Sequence, residues 1–421
     1  MSNQSRRDFI KSSILAGTAI LTPASLMNLI AQGHTASTER IRVGVVGTGS
    51  RGFYLMQFIG SAAETMGIDI VAICDSYGVN LNMGQQLVPG AKAYTDYRKL
   101  LEHKGLEAII VATPLHQHAH ITIDALGNGI HVLCEKAMAR TLEDTHAMYM
   151  AQRRTEKVLY VGHQRLFDPK FLEGIRMVHE GVLGDVTQIR AYWHRNNDWR
   201  RPVPPNQPEL ERQINWRLYR EYSCGLLTEL ASHQVQVACW AKRDMPIDVR
   251  GTGSISFWKD GREVHDNVAL IFRYADGTQF IYHSMIQNAR YGFEEQVLGH
   301  KGTLELESNR FFTEDLSSIP KPAGIIQLVT DLQNNVFGTI PIGNPSWQPE
   351  LASAYKGTPV VSNNNTDGTL EMLIAFANSV RTGKPVPGFL EQCYYGTVWS
   401  LLGQEAIDSG NVVRLPDEFK V

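Results

Sequence analysis

Three glycines, Gly47-x-Gly49-x-x-Gly52, directly follow a run of β-branched residues, Ile41–Val46. This spacing lets a chain turn tightly out of a buried strand and approach a pyrophosphate closely. The helix that follows starts with its N–H groups and the positive end of its dipole toward the phosphates. Ser50 and Arg51 lie in the same turn and are expected to join the phosphate contacts. A second apolar run, Ile68–Cys74, ends at Asp75, about 20 residues beyond the last glycine. A carboxylate there accepts hydrogen bonds from ribose hydroxyls and repels a 2′-phosphate, so NAD is expected and not NADP. Ser76 and Tyr77 follow, with no arginine to reverse that preference.

The elements that must hold these residues alternate in type. Apolar strands at Ile41–Val46, Ile68–Cys74, 108–112, 130–134 and 158–161 are separated by helical stretches at 51–63, 116–128 and Leu142–Thr155. Continuous β-branched runs between helices predict a parallel sheet buried on both faces, the doubly wound dinucleotide fold. His116, His118 and His120 follow the strand that ends at Thr113-Pro114. On a helix His116 and His120 share a face, but no carboxylate or cysteine completes a metal set. They read as polar residues of a helix start near the cofactor, and no metal is expected.

From about residue 162 the pattern changes. Aromatic and β-branched strands appear at 186–193, 247–258, 264–274, 279–287, 295–299 and 302–307, two of them joined through Asp276-Gly277 as a hairpin. An α+β domain with a large, mainly antiparallel open sheet is predicted, with helices at 169–180 and 224–240 against the cofactor domain and at 369–381 and 392–409 closing the chain. Such a sheet must cover one face, which points to a homodimer or homotetramer. The Pro/Gly/Asn-rich stretch 325–362 reads as an irregular insertion.

Composition sets wide bounds. With 421 residues, 43% hydrophobic and 20% charged, the chain is long enough for two globular domains. A net charge of −3 gives no ground for a nucleic-acid partner. Five cysteines without CxxC spacing read as reduced thiols. At the N-terminus, Ser5-Arg6-Arg7-Asp8-Phe9-Ile10-Lys11 precedes a mildly apolar run interrupted by Gly17, Pro23 and Asn28. That is the twin-arginine signal pattern, too weakly apolar for a stable membrane anchor, with a small-x-small site at Ala31-Gln32-Gly33. The expected organisation is therefore a signal peptide (1–33), an NAD-binding domain (40–161) and a substrate and oligomerisation domain (162–421). Export in the folded state predicts a periplasmic protein that carries its NAD with it.

The motifs together resemble the Gfo/Idh/MocA oxidoreductases, the glucose–fructose oxidoreductase and inositol dehydrogenase type. The carriers are the glycine turn, Asp75, Ala112-Thr113-Pro114 with His118, Glu135-Lys136, Gly162-His163-Gln164-Arg165 with Pro169, Gly225 through His233, and the tail Arg381-Thr382-Gly383-Lys384-Pro385. The resemblance implies that Thr113, Pro114, His118 and Glu135 contact the cofactor, and that Lys136 lies beside both nicotinamide and substrate. Ala137 stands where the family has proline, which predicts a less rigid backbone. A lysine near the nicotinamide has its charged form disfavoured and is poised for proton transfer. The family's Asp-x-x-x-His segment matches Glu229-Leu230-Ala231-Ser232-His233, with glutamate for aspartate. On an α-helix this i, i+4 pair shares a face, so Glu229 is expected to orient or charge His233 while His233 takes the hydroxyl proton.

Trp193-His194-Arg195-Asn196-Asn197-Asp198-Trp199-Arg200-Arg201, followed by Asn215-Trp216-Arg217, combines indoles that stack on sugar faces with groups that bind hydroxyls. A loop packing its own aromatics is an equal alternative. The expected substrate contacts are Lys136, His163, Arg165, Trp199, Trp216, Arg217 and His233. The reading is an exported, NAD-dependent oxidoreductase acting on a sugar, glycoside or polyol. One alternative is hydrolysis of a glycoside through transient oxidation, elimination and water addition; another is a non-catalytic sugar-binding module.

Overall fold

The computed structural model describes residues 21–32, 40–315, 356–362 and 365–421. The arginine pair of the signal pattern and nearly all of the 325–362 insertion lie outside the described residues.

The first sheet is built from β1 (Ile41–Val46), β2 (Ile68–Cys74), β3 (Lys92–Tyr94), β4 (Ala108–Val111), β5 (His131–Cys134) and β6 (Leu159–Val161). Its order is β3-β2-β1-β4-β5-β6 and every pairing is parallel. All of β4 and β6 is buried, as is most of β1, which accounts for their unbroken apolar runs. The order reverses between β1 and β4, and a crevice opens at the carboxyl ends of the strands there. Gly47, Asp75 and Glu135 follow directly on those ends, and Thr113 comes one residue later. The edge strand β3 carries no apolar run, only Lys-Ala-Tyr, and was not predicted.

The second sheet contains β7 (Val186–His194), β8 (Asp248–Ser254), β9 (Asn267–Arg273), β10 (Gln279–Met285), β11 (Phe293–Gly299), β12 (Gly302–Glu305), β13 (Arg310–Thr313) and β14 (Thr358–Pro359). Their order is β14-β13-β12-β11-β7-β10-β9-β8, antiparallel except where β7 meets β10. The Asp276-Gly277 hairpin joins β9 to β10, with Gly277 at φ +90°. The predicted strand 247–258 stops at Ser254 for an identifiable reason. The Asp266 carboxylate accepts the N–H groups of Ser256, Phe257 and Trp258 at 2.8, 2.9 and 2.8 Å and pulls the chain into a loop. The same aspartate delays the start of β9 to Asn267.

Along β9 and β10 burial alternates residue by residue, so the sheet has one covered and one open face. The helices Ser232–Lys242 and Phe389–Ser409 lie on the covered side. Ser232 through Ala241 are all buried, so this helix is packed all round. Its close approach to Phe389–Ser409 depends on Gly396, where a Cβ would come within 2.6 Å of the Gln236 Cβ. On the open side Ile271 is 41% exposed.

Pro23–Gln32, inside the segment read as a signal, forms a helix against Pro169–His179 and Thr369–Thr382. Leu21 and Leu26 are fully buried beneath it, and the Trp240 indole N–H donates to the Leu21 carbonyl at 3.3 Å. Among the described residues no helix is long and apolar enough to cross a membrane.

Gly396→Val tests the helix packing. Overpacking at such a contact costs about 1–3 kcal/mol, so the variant should melt several degrees lower in a thermal scan; an unchanged melting temperature would show that the two helices can part.

Candidate active site

A single cleft of about 1200 Å³ runs from Asp75, past the glycine turn, to Trp216 and Arg217. At its inner end Gly47 has φ +91°, and a Cβ there would meet the Ala112 backbone at 2.6 Å. A Cβ on Gly52 would lie 1.8 Å from the Gly47 carbonyl oxygen, so helix Ser50–Ser61 sits against the strand end only because that residue is glycine. Gly49 caps the helix and faces the cleft with bare backbone. Thr113 Oγ1 is buried there without a partner, and so is Arg51 Nη2. The cradle therefore fits a dinucleotide: bare backbone for the pyrophosphate, and orphaned polar groups that a bound nucleotide can satisfy. Asp75 is partly engaged already. One oxygen accepts the Thr48 N–H at 2.9 Å and the other the Tyr77 N–H at 2.8 Å, which fixes the carboxylate and leaves lone pairs for ribose hydroxyls.

Pro114 and His118 both line the cleft, and the His118 ring is engaged by backbone on both sides. Its ring is 2% exposed, with Nδ1 2.9 Å from the Ala137 carbonyl and Nε2 3.0 Å from that of Thr113. Burial holds this histidine neutral against the pull of both carbonyls, so only one contact carries a proton. It braces the segment after Lys136 against the β4 turn. Ala137, Met138 and Ala139 are buried, the Lys136–Ala137 peptide is cis, and Met138 N–H donates to Thr397 Oγ1 at 3.1 Å. The segment expected to be slack is thus tied on both sides. Glu135 lines the cleft, and its carboxylate accepts Arg51 Nε at 2.6 Å.

Lys136 reaches into the second domain, where its Nζ donates to the Glu229 backbone carbonyl at 2.8 Å. Burial lowers its pKa, opposed by the carboxylates of Glu229 and Glu135. The Glu229 side chain turns elsewhere: it accepts Arg217 Nε at 2.8 Å and Ser223 Oγ at 3.4 Å. Burial would raise the Glu229 pKa, but Arg217 and Lys136 together hold it below the usual range. Leu227–Ala231 is a π-helical turn, not the expected α-helix, and the α-helix resumes at Ser232. Glu229 and His233 consequently do not pair. Such turns widen the backbone and are frequent at functional sites.

His233 packs its ring against His163 (centroids 5.5 Å) and Trp193 (5.9 Å). Its Nδ1 is buried without a partner. Burial, and then the charges of Lys136 and Arg165, push its pKa well below 6.5, so it is a neutral imidazole. His163 is wholly buried, with neither ring nitrogen partnered, and its pKa falls to about 3 for the same reasons. It backs His233 and does not reach the cleft surface. Arg165 is likewise committed. It is clamped by Glu295 at 2.5 Å and by Glu307, under the ring of Trp193, 4.9 Å from its guanidinium. Trp216 and Arg217 line the cleft, stacked at 4.2 Å. Trp199, held at φ +61°, packs into the core and is absent from the lining. His116, His118 and His120 face three different partners, Tyr222, two carbonyls and Tyr97.

Reasoning from sequence named Trp193, Arg195 and Arg201 only as part of the sugar-binding cluster and missed the lining residues Phe293 and Asp367. Arg195 and Arg201 lie within the aromatic and basic loop it singled out, and their lack of nearby carboxylate partners is a property of the folded chain alone.

Two outcomes are expected of this geometry. Lys136→Met should lower turnover about 10²–10⁴-fold with bound nucleotide unchanged, measured by absorbance after denaturation. Glu229→Gln removes the charge that raises the Lys136 pKa, so the pH-rate limb set by Lys136 should move to lower pH. A limb that stays in place would free Lys136 of that role.

Residues 41–163 match a family model described as "Oxidoreductase family, NAD-binding Rossmann fold", and residues 171–305 match the GFO/IDH/MocA C-terminal domain. Curated relatives include a glycosyl hydrolase family 109 protein of Shewanella baltica, 24% identical over 299 residues, 59% of this chain and 63% of that protein. Another, of Stenotrophomonas maltophilia, is 26% identical over 45% of this chain and 42% of its own length. The chain thus matches less than two thirds of the length of these relatives. Among solved structures, a levoglucosan dehydrogenase in complex with NADH and levoglucosan superposes with a TM-score of 0.69 at 18% identity, covering 90% of this chain and all of that one. The WlbA dehydrogenase of Bordetella pertussis, in complex with NADH and UDP-GlcNAcA, gives 0.67 at 18% identity over 90% and 99%. With both domain models matched in order, and with the glycine turn, Asp75 and Lys136 arranged around one cleft, this chain belongs to the Gfo/Idh/MocA family of NAD-binding oxidoreductases.

Proposed function

We propose that the protein oxidises or reduces a hydroxyl-bearing carbon of a sugar, glycoside or polyol. The observation that carries this reading is the meeting of Lys136 and His233, from different domains, at the end of the nucleotide cleft. The nicotinamide, when bound, takes up or returns a hydride. Lys136, its amine made less basic by burial, takes or gives the hydroxyl proton. His233, kept neutral, accepts a hydrogen bond or the proton at the same oxygen. Trp216 and the exposed ring of Phe293, itself stacked on the buried Trp193, offer apolar surface for a pyranose ring.

A second reading is favoured by the glycosyl hydrolase names of the curated relatives. Oxidation of a ring hydroxyl to a ketone would acidify the neighbouring C–H and permit elimination of the glycosidic group; water addition and return of the same hydride from the reduced cofactor would complete a net hydrolysis. Incubation with aryl glycosides and free sugars separates the two. A ketosugar accumulating with reduced cofactor supports the dehydrogenase; phenol release without net redox change supports the hydrolase. Neither product, across a panel of pyranosides, would defeat both.

The Arg6-Arg7 pattern supports export in the folded state, with NAD loaded before transport and held through turnover. Enzyme purified from the periplasm should release stoichiometric NAD on denaturation, and an empty protein would refute a resident cofactor. The open face of the second sheet supports self-association, which sedimentation tests: a monomer at micromolar concentration would count against it.

A further inference from the structure

The loop between β7 and the helix Ser232–Lys242 carries six arginines, and four of them have carboxylate partners. Arg200 pairs with Glu211 and Asp260, Arg212 with Glu221 and Glu263, Arg217 with Glu229, and Arg220 with Asp408, while Arg262, beyond the loop, pairs with Asp260. Arg195 and Arg201 are the exceptions. Both line the cleft at its substrate end, and neither forms an ion pair among the described residues. Carboxylates are not scarce nearby; the loop places them on other arginines.

Both positions are built, not incidental. Arg195 is half-buried, with its guanidinium 5.3 Å from the centre of the Trp193 ring and its backbone N–H donated to the Met285 carbonyl at 2.9 Å. Arg201, exposed at the mouth, is gripped through its backbone by the buried Asn215. Asn215 Oδ1 accepts the Arg201 N–H at 2.7 Å and its Nδ2 donates to the Arg201 carbonyl at 3.1 Å. Burial disfavours the charge of both, and the charge of Arg217 adds to the cost. An uncompensated guanidinium in a partly desolvated cleft is unfavourable unless an anion completes it. The facing acidic groups do not serve. Glu229 is held by Arg217, Glu307 by Arg165 and Lys170, and Glu209 stands exposed on the rim without an ion pair.

We infer that Arg195 and Arg201 form an anion subsite and that the preferred substrate is a negatively charged sugar, one carrying a carboxylate or a sulfate ester. The forked guanidinium suits either group, since both present paired oxygens. The inference rests on the sugar-oxidoreductase reading above and narrows its substrate class.

Calorimetric titration of the NAD-loaded full chain tests it. The ligands are methyl glucuronide, methyl galacturonide and glucose 6-sulfate, each against its neutral counterpart. At least one acid should bind about tenfold or more tightly than its neutral partner, a difference of about 1.4 kcal/mol, and the preference should shrink as ionic strength rises. A carboxylate-only preference assigns the uronides, a sulfate-only preference the ester. In Arg195→Gln and Arg201→Gln the ratio of acid to neutral affinity should fall toward one, with bound NAD reporting that each variant is folded. Neutral sugars binding as tightly as acids, or a preference that survives both substitutions, would overturn the subsite while leaving the oxidoreductase reading intact. Absence of binding by every sugar, with NAD still held, would overturn both.

Discussion

One hydrogen bond that joins the two domains lies in the candidate site itself: the Lys136 ammonium donating to the backbone carbonyl of Glu229. A buried amine is costly to keep charged, and a main-chain oxygen with a second lone pair is a neutral acceptor that stabilises it without neutralising it. The rest of the site is arranged around that compromise. Glu229 carries its own negative charge close enough to raise the lysine pKa, yet its carboxylate is held by Arg217. The β5 segment that presents Lys136 is braced by His118 from one domain and Thr397 from the other. The lysine can change charge because none of its neighbours is bonded to it as a fixed counter-ion.

Much of the fold was legible because burial writes itself into residue type. β1, β2 and the helix Leu142–Thr155 were located to the residue, since a doubly covered strand needs an unbroken apolar run and a capped helix announces its ends. What escaped was set by side-chain contacts with no sequence period. β3 is short and polar, and β8 ends where Asp266 captures three amides. The glycine turn and Asp75 were readable because their backbone geometry is dictated locally. The Glu229–His233 pairing was not, because a four-residue spacing implies a shared face only if the helix is α throughout, and here it is not.

The site residues divide by the same logic. Lys136, Glu229, His233, Trp216 and Arg217 share one cleft. His163 and Trp199 have the residue types of a binding site but stand away from its surface, one backing His233 and one packed against the core, while Arg165 lines the cleft with its guanidinium locked between carboxylates. Residue type and neighbourhood in sequence are the same for the arginine that binds a glutamate and for the one that does not. Only the folded chain distinguishes Arg165 from Arg195.

The helix Pro23–Gln32 bears on how the protein would behave without its first 39 residues. Leu21 and Leu26 each gain about 1.5–3 kcal/mol from burial, and they shield Trp240 and the flank of Thr369–Thr382. A chain shortened to Arg40 loses that cover and shows water a new apolar strip beside an indole. Trimming is therefore a change of surface as well as of length. It makes the shortened form stickier and leaves the Trp240 indole N–H without the Leu21 carbonyl, so the emission of that tryptophan reports whether the N-terminal helix is seated.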